Sequence, residues 1–298
     1  MIRPWVSCVL LGILALALPV LAQAGALEDN LSAYTDQTAE GYLKPLQESF
    51  GQALHANLFT AASLPALGFH ARLDIKVMSV FFDDGDRTFP AGTGGDFTPY
   101  QTIEAPTVVG SGESVVVDGD GGTQYVFPGG FDLTSLTVPV PQITVSALAS
   151  EFMLRWVGFQ VGGNDIGNVS LLGLGFRHSI SSHWKGLPVD VAGAVYWHKF
   201  DVESNLLDVE TFSIGAQASR NFAPLTLYGG VAYETVQMSA EYTTDSGPQE
   251  EVVQLTMKTE KTLHLVAGAG LDLGPMRLNL SGDLAQRLGL SAGLSLGF

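Results

Sequence analysis

Cysteine is almost missing: the 298 residues contain one, Cys8, and it lies inside the first apolar stretch. A chain processed near Gly25 would carry no thiol, which excludes a disulfide framework, a cysteine metal centre and a thiol nucleophile. Basic residues are scarce as well, with 14 Lys and Arg against 30 Asp and Glu and a net charge of -16. That balance excludes a nucleic-acid partner, because binding a phosphate backbone needs a basic surface. Long hydrophobic runs are absent after residue 26, where no stretch approaches the roughly 20 apolar residues that a membrane-spanning helix needs. Mean hydropathy is nevertheless +0.24, so the apolar residues must be spread by alternation.

The opening MIRPWVSCVLLGILALALPVLAQA has one charge, Arg3, an apolar stretch, and the small-x-small run Ala22-Gln23-Ala24. It reads as a cleaved secretory signal over residues 1–24. An uncleaved anchor from Pro4 to Ala26 is the alternative, and it exports the chain equally. Over residues 25–68, Leu43, Leu46, Phe50, Leu54 and Leu58 recur at helical spacing, with Pro45 expected in a first turn. This stretch is expected to form a helical plug or a segment on the periplasmic side.

From residue 69 the period changes to two. In FHARLDIKVMSVFF, Ala71, Leu73, Ile75 and Val77 share one face, and His70, Arg72, Asp74 and Lys76 the other. Similar segments start near residues 141, 151, 168, 188, 210, 224, 261, 275 and 288. With turns that alternate between short and long, they predict an all-β membrane fold, an antiparallel up-and-down transmembrane β-barrel of about ten strands, within a range of roughly eight to fourteen. From a periplasmic amino end, an even count returns the carboxyl end to the periplasm and makes 83–139 a long external loop of the 69–298 barrel. A soluble sandwich shares the alternation, but it does not account for a leader, strand parity and one-sided acidic loops together.

Most of the acidic residues fall in the long connections. The strand charges Arg72, Asp74, Lys76, Glu151, Arg155, Arg177, Glu234, Arg277 and Asp283 are expected to point inward and pair, and Lys199, Arg220 and Lys261 to snorkel near strand ends. Small inward residues, among them Gly268, Gly270, Gly289 and Gly293, are expected to leave lumenal space.

Chemical motifs are few. RHSISSHW (177–184) places His178 near Ser179 and Ser181, as a lipid hydrolase with a His-activated serine would require, while girdle residues are the simpler reading. DGDGGT (118–123) opens like a calcium loop but has Gly129 where a bidentate Glu is needed. The six histidines lack zinc spacing, and no phosphate loop opens a helix. No catalytic residue, metal or cofactor is assigned.

The closing LSAGLSLGF, with Leu290, Ala292, Leu294, Leu296 and Phe298 in alternation, resembles the assembly signal of bacterial outer-membrane barrels, which implies recognition by the barrel assembly machinery. The segments YLKPLQESFG, PGGFDL, PQITV, LLGLGFRHSI and LYGGVAYE resemble an uncharacterised family of Gram-negative outer-membrane barrel proteins. In architecture alone the chain is similar to the long-chain fatty acid transporters, which combine a barrel with a plug. The expected state is a monomer among outer-membrane lipid and lipopolysaccharide, with a small hydrophobic ligand as a further expected partner. The expected function is passage or binding of a small apolar solute. The alternatives are a structural or surface-interaction barrel and, third, a lipid hydrolase.

Overall fold

A computed structural model describes residues 24–34, 36–94, 97–160, 168–184, 186–202, 206–244 and 251–297. Ten strands follow one another around a closed antiparallel cylinder: β1 (Phe69–Phe81), β6 (Ser135–Ala147), β7 (Ser150–Gln160), β8 (Asn168–Ser179), β9 (Asp190–Val202), β10 (Leu207–Phe222), β11 (Leu225–Thr244), β12 (Glu251–Leu273), β13 (Met276–Leu284) and β14 (Leu288–Gly297). The last strand pairs with the first, from Arg72 opposite Gly297 to Val80 opposite Gly289. Closure removes the free sheet edge, and with it the row of unpaired backbone groups that hydrocarbon cannot solvate. The ten-strand, all-β barrel expected from the alternation is therefore the fold.

Alternation dictates which face meets which solvent. On β14, Gly289, Ser291, Gly293 and Ser295 are buried or nearly so, while Leu288, Leu290, Ala292, Leu294 and Leu296 face outward; Phe298 lies outside the described residues. Leu280 is 63% exposed and Leu290 49%. A large leucine gains about 1.5–3 kcal/mol when fully buried from water, so a ring of outward leucines needs hydrocarbon around it. Trp156, Trp197 and Tyr233 border this belt towards the loops and Trp184 towards the turns, all of them exposed or half-exposed, as interfacial aromatics do. No described helix is long and apolar enough to cross a membrane.

Several boundaries differ from the alternation reading. The first connection ends at residue 134, because β6 begins at Ser135 and carries Pro139 and Pro141 within it. Proline is a strand breaker only where its missing donor faces a paired neighbour. This connection also folds into two hairpins, β2 (Thr88–Gly92) with β3 (Thr102–Pro106) and β4 (Val115–Asp118) with β5 (Gln124–Phe127). DGDGGT forms the turn of the second, where Gln124 Nε2 donates to Asp118 Oδ1 at 3.0 Å. The expected long connection 241–258 is mostly strand, since β11 runs to Thr244 and β12 starts at Glu251. Turn lengths are also less one-sided than expected: residues 180–189 make a long link at the turn end, and 285–287 a short one at the loop end.

The amino-terminal segment lies inside the barrel. Helices α1 (Ala24–Ser32) and α2 (Asp36–His55) precede a non-helical stretch that leads to β1. The expected helix over 25–68 thus ends at His55, and Leu58 of the apolar stripe lies beyond it. Asn57, with φ of 53°, terminates α2 in the left-handed conformation that asparagine tolerates. Pro45 sits well inside α2 instead of its first turn. Burial of Tyr42, Leu43, Leu46 and Phe50 outweighs the lost helical bond.

Candidate functional site: a plugged lumen

The helices start at the loop end, while β1 begins and β14 finishes at the turn end, as an even strand count requires. Thr244 Oγ1 donates to the Ser32 carbonyl at 2.7 Å, and the Tyr42 hydroxyl to the Gly129 carbonyl at 3.2 Å. From there α2 descends with Leu43, Leu46, Phe50 and Leu54 packed into one apolar cluster with Leu136, Val140, Phe200, Val209 and Met238 of the wall. The upper lumen is consequently an apolar core.

A latch closes its rim. Arg287, between β13 and β14, reaches Glu48 at 3.0 Å and forms a fork with Asp86 of the first loop, its Nε 2.8 Å from Oδ2. Gln52 of α2 donates to the Arg287 carbonyl at 2.7 Å and accepts from its N–H at 3.2 Å. Burial alone would raise the Asp86 carboxyl, but hydrogen bonds from Arg287 and from the Asp83 N–H hold it below the usual carboxylate range.

Polar side chains hold the plug lower down. Arg155 donates to the carbonyls of Leu54 at 2.8 Å and Ala56 at 3.3 Å, and its Nε donates to Gln142. A guanidinium there satisfies the orphan carbonyls of the helix end and complements its dipole. The non-helical stretch then exchanges backbone bonds with wall side chains: Gln217 donates to the Ala61 carbonyl at 3.2 Å, and the Ala62 N–H to Ser219 at 2.8 Å. Arg177 donates to Thr60 Oγ1 at 3.1 Å.

All nine strand charges singled out from the sequence lie on inward positions. Glu151 bridges Arg72 (3.1 Å) and Arg177. Asp74 accepts from Thr144 at 2.8 Å, with Lys76 4.0 Å away. Glu234 and Asp283 flank His264, and His55 Nδ1 lies 3.2 Å from Glu234 by distance, without hydrogen-bond alignment. Arg277 is set apart near the turn end, forked onto Asp272 at 2.5 and 2.8 Å.

Small inward residues do not create the expected space, because neighbours fill it. A Cβ on Gly268 would stand 2.6 Å from the Tyr228 ring, and one on Gly293 2.8 Å from Lys76 Cδ. Glycine there makes room for a side chain next door. A cavity of about 340 Å³ opens at the turn-end mouth, bordered by Leu64, Pro65, Arg72, Arg177 and Arg277.

Among the described residues the wall has a weak seam. β6 pairs with β1 over its whole length, yet pairs with β7 only from Gln142 opposite Arg155 down to Ala147 opposite Ser150. Above Gln142 no β6–β7 pair occurs among the described residues, although β7 continues to pair with β8 up to Gln160 opposite Asn168. An intact ladder to β1 assigns the missing donors of Pro139 and Pro141 to this open edge. Behind it stands the apolar cluster, through Leu136 and Val140.

The serine–histidine reading of RHSISSHW needs correction. Ser179 and Ser181 bond each other at 3.1 Å, and His178 instead meets Ser150, 2.9 Å from its Nδ1; strand parity turns Ser179 inward and His178 outward. Sequence reasoning passed over Gln52, Gln142, Gln217 and Arg287. Inward parity among small residues marks Gln142 and Gln217, whereas a three-residue loop gives Arg287 no periodic signal.

Together, a closed antiparallel wall, an apolar outer belt and a resident plug define a membrane-spanning barrel with an occupied lumen. The chain belongs to the family of unknown function DUF6588, whose model matches residues 2–298. No curated protein matches it by sequence. Similar solved structures include the outer membrane protein OmpT of Vibrio cholerae, at 11% identity over 79% of this chain and 100% of that one, with a TM-score of 0.26. The toluene transporter TbuX of Ralstonia pickettii aligns at 10% identity over 84% and 98%, with a TM-score of 0.29. The translocator domain of the autotransporter NalP of Neisseria meningitidis aligns at 11% over 90% and 99%, with a TM-score of 0.26. Likeness at this level carries no argument about activity.

Proposed function

We propose that the protein resides in the bacterial outer membrane and passes a small apolar solute from the loop side, without covalent chemistry. The observation that carries this reading is the unpaired β6–β7 seam, which sets the apolar upper lumen beside the apolar outer belt. Water-filled porins need a polar channel; here the upper chamber is lined and filled by Leu, Phe, Val and Met. Loosening of the latch at Arg287 would free the lower half of α2 at Glu48 and Gln52, and an apolar molecule entering beside the helix would leave sideways through the seam into lipid.

Cysteines introduced at Val140 and Val157, opposite each other if the β6–β7 alignment continued upward, test the route in a processed chain that has no other thiol. Bridging them should abolish entry of the apolar dye N-phenylnaphthylamine into proteoliposomes, and reduction should restore it. Unchanged entry on bridging would refute the lateral path.

A second reading, a closed structural barrel, draws on the cross-linked lower lumen around Arg72, Glu151 and Arg177. Liposome swelling with solutes of graded size and polarity separates the two, since a structural barrel admits none of them.

A further inference from the structure

Three guanidiniums border the cavity at the turn-end mouth, those of Arg72, Arg177 and Arg277, together with a single carboxylate, that of Asp272. Strand register explains why they meet. Arg72 on β1 lies opposite Gly297, and Arg277 on β13 lies opposite Ser295, so the two arginines flank one stretch of β14 whose inward residues are a serine and a glycine. A Cβ on Gly297 would find its nearest neighbours, Arg72 Cγ and the Pro275 carbonyl oxygen, at 3.8 Å. Unlike Gly268 and Gly293, this glycine leaves open floor.

The carboxylates within reach are already divided. Glu151 serves both Arg72 and Arg177, Asp74 lies 3.8 Å from Arg72 and 4.0 Å from Lys76, and Asp272 is forked by Nε and Nη2 of Arg277. Four cations thus share three carboxylates. The positive charge left over sits between low-dielectric walls, where an unpaired charge is costly and an anion offsets it. Two donors are free to meet that anion: among the described residues neither Nη1 of Arg72 nor Nη1 of Arg277 has a hydrogen-bond partner. Both side chains keep contact with water, at 24% and 21% exposure.

We infer that this cavity binds a small organic monocarboxylate. Its two oxygens accept charge-assisted hydrogen bonds from Arg72 and Arg277, and its apolar body lies against Ala61, Leu64 and Pro65 of the non-helical stretch, which border the same cavity. Inorganic phosphate fits less well, because a tetrahedral anion needs donors on every side and those three side chains supply none. The volume is near the lower end of the roughly 300–1,000 Å³ of small-molecule pockets, which limits the acid to a compact one. This site lies at the other end of the barrel from the apolar chamber, and it stands whether or not solute leaves through the seam. A bound acid would touch wall and plug at once and so brace the plug where it leaves the lumen.

Isothermal titration calorimetry of the whole chain folded in detergent micelles tests the site, with benzoate as the probe and benzamide as its uncharged counterpart. Benzoate should bind with a Kd below roughly 1 mM, and benzamide at least about tenfold more weakly, as loss of a charged hydrogen-bond acceptor implies. Arg277→Gln should weaken benzoate by about the same factor. Asp272→Asn, which turns the Arg277 fork over to the ligand, should tighten benzoate several-fold, a gain that a damaged barrel could not give. Inorganic phosphate should fail to displace benzoate at equal concentration. Equal affinity for benzoate and benzamide, displacement by phosphate on equal terms, or an Asp272→Asn variant that binds no better than the wild type would overturn the assignment.

Discussion

Nη1 of Arg155, on the barrel wall, lies 2.8 Å from the carbonyl oxygen of Leu54, in the last turn of α2. One wall cation thereby terminates the plug helix, and the plug's depth in the barrel is set at that point. The contact uses backbone carbonyls on one partner, so its specificity comes from position and not from a matched carboxylate.

Arg155→Met should release the plug without opening the wall. Leaving the carbonyls of Leu54 and Ala56 unsatisfied in a buried site costs about 1–3 kcal/mol each, and the melting temperature in micelles should fall accordingly. Increased protease cleavage between residues 56 and 65, with the strands intact, would locate the change.

The rim latch should be sensitive to acid. Asp86 has a folded pKa held below its unfolded value of about 3.9, so its contribution to stability is present above that value and is lost as pH falls through the folded pKa. Thermal stability measured from pH 6 to pH 3 should drop in this window, and Arg287→Gln should flatten the drop while lowering stability at pH 6. A wild-type profile parallel to that of the variant would dissociate Asp86 from the latch.

Deleting residues 27–60 removes both helices and the start of the non-helical stretch but no barrel strand. Single-channel conductance in planar bilayers should rise from near closed to a steady open level. A barrel that folds, inserts and stays closed would show that the wall side chains collapse to fill the lumen.

Leu280 tests the outer belt. It is 63% exposed on β13, and Leu280→Arg should cost about 2–4 kcal/mol if it faces the bilayer midplane, as read by denaturant titration in liposomes. A cost near zero would place this face in water.

The sequence by itself determined the wall. A period of two with leucine on one side and small or charged residues on the other requires every second residue to meet an apolar environment, and ten such segments together with the leader and the strand parity point to a barrel closed on itself in a membrane. Gly289 to Leu296 could be assigned to faces residue by residue, as could Arg72, Asp74 and Lys76. Tertiary structure decided what fills the wall. The apolar stripe of Leu43, Leu46, Phe50 and Leu54 requires burial without naming its partner, and it could not say that the chain descends from the loop end. The path of residues 56–65 left no periodic trace, because its backbone bonds go to Gln217, Ser219 and other side chains far away in sequence. Glycines such as Gly268 read as empty space until Tyr228 was seen to occupy it. Local periodicity records the solvent each face meets, whereas packing inside a closed cylinder depends on contacts between residues more than a hundred positions apart, such as Arg155 with Leu54, and those are fixed only when the barrel closes.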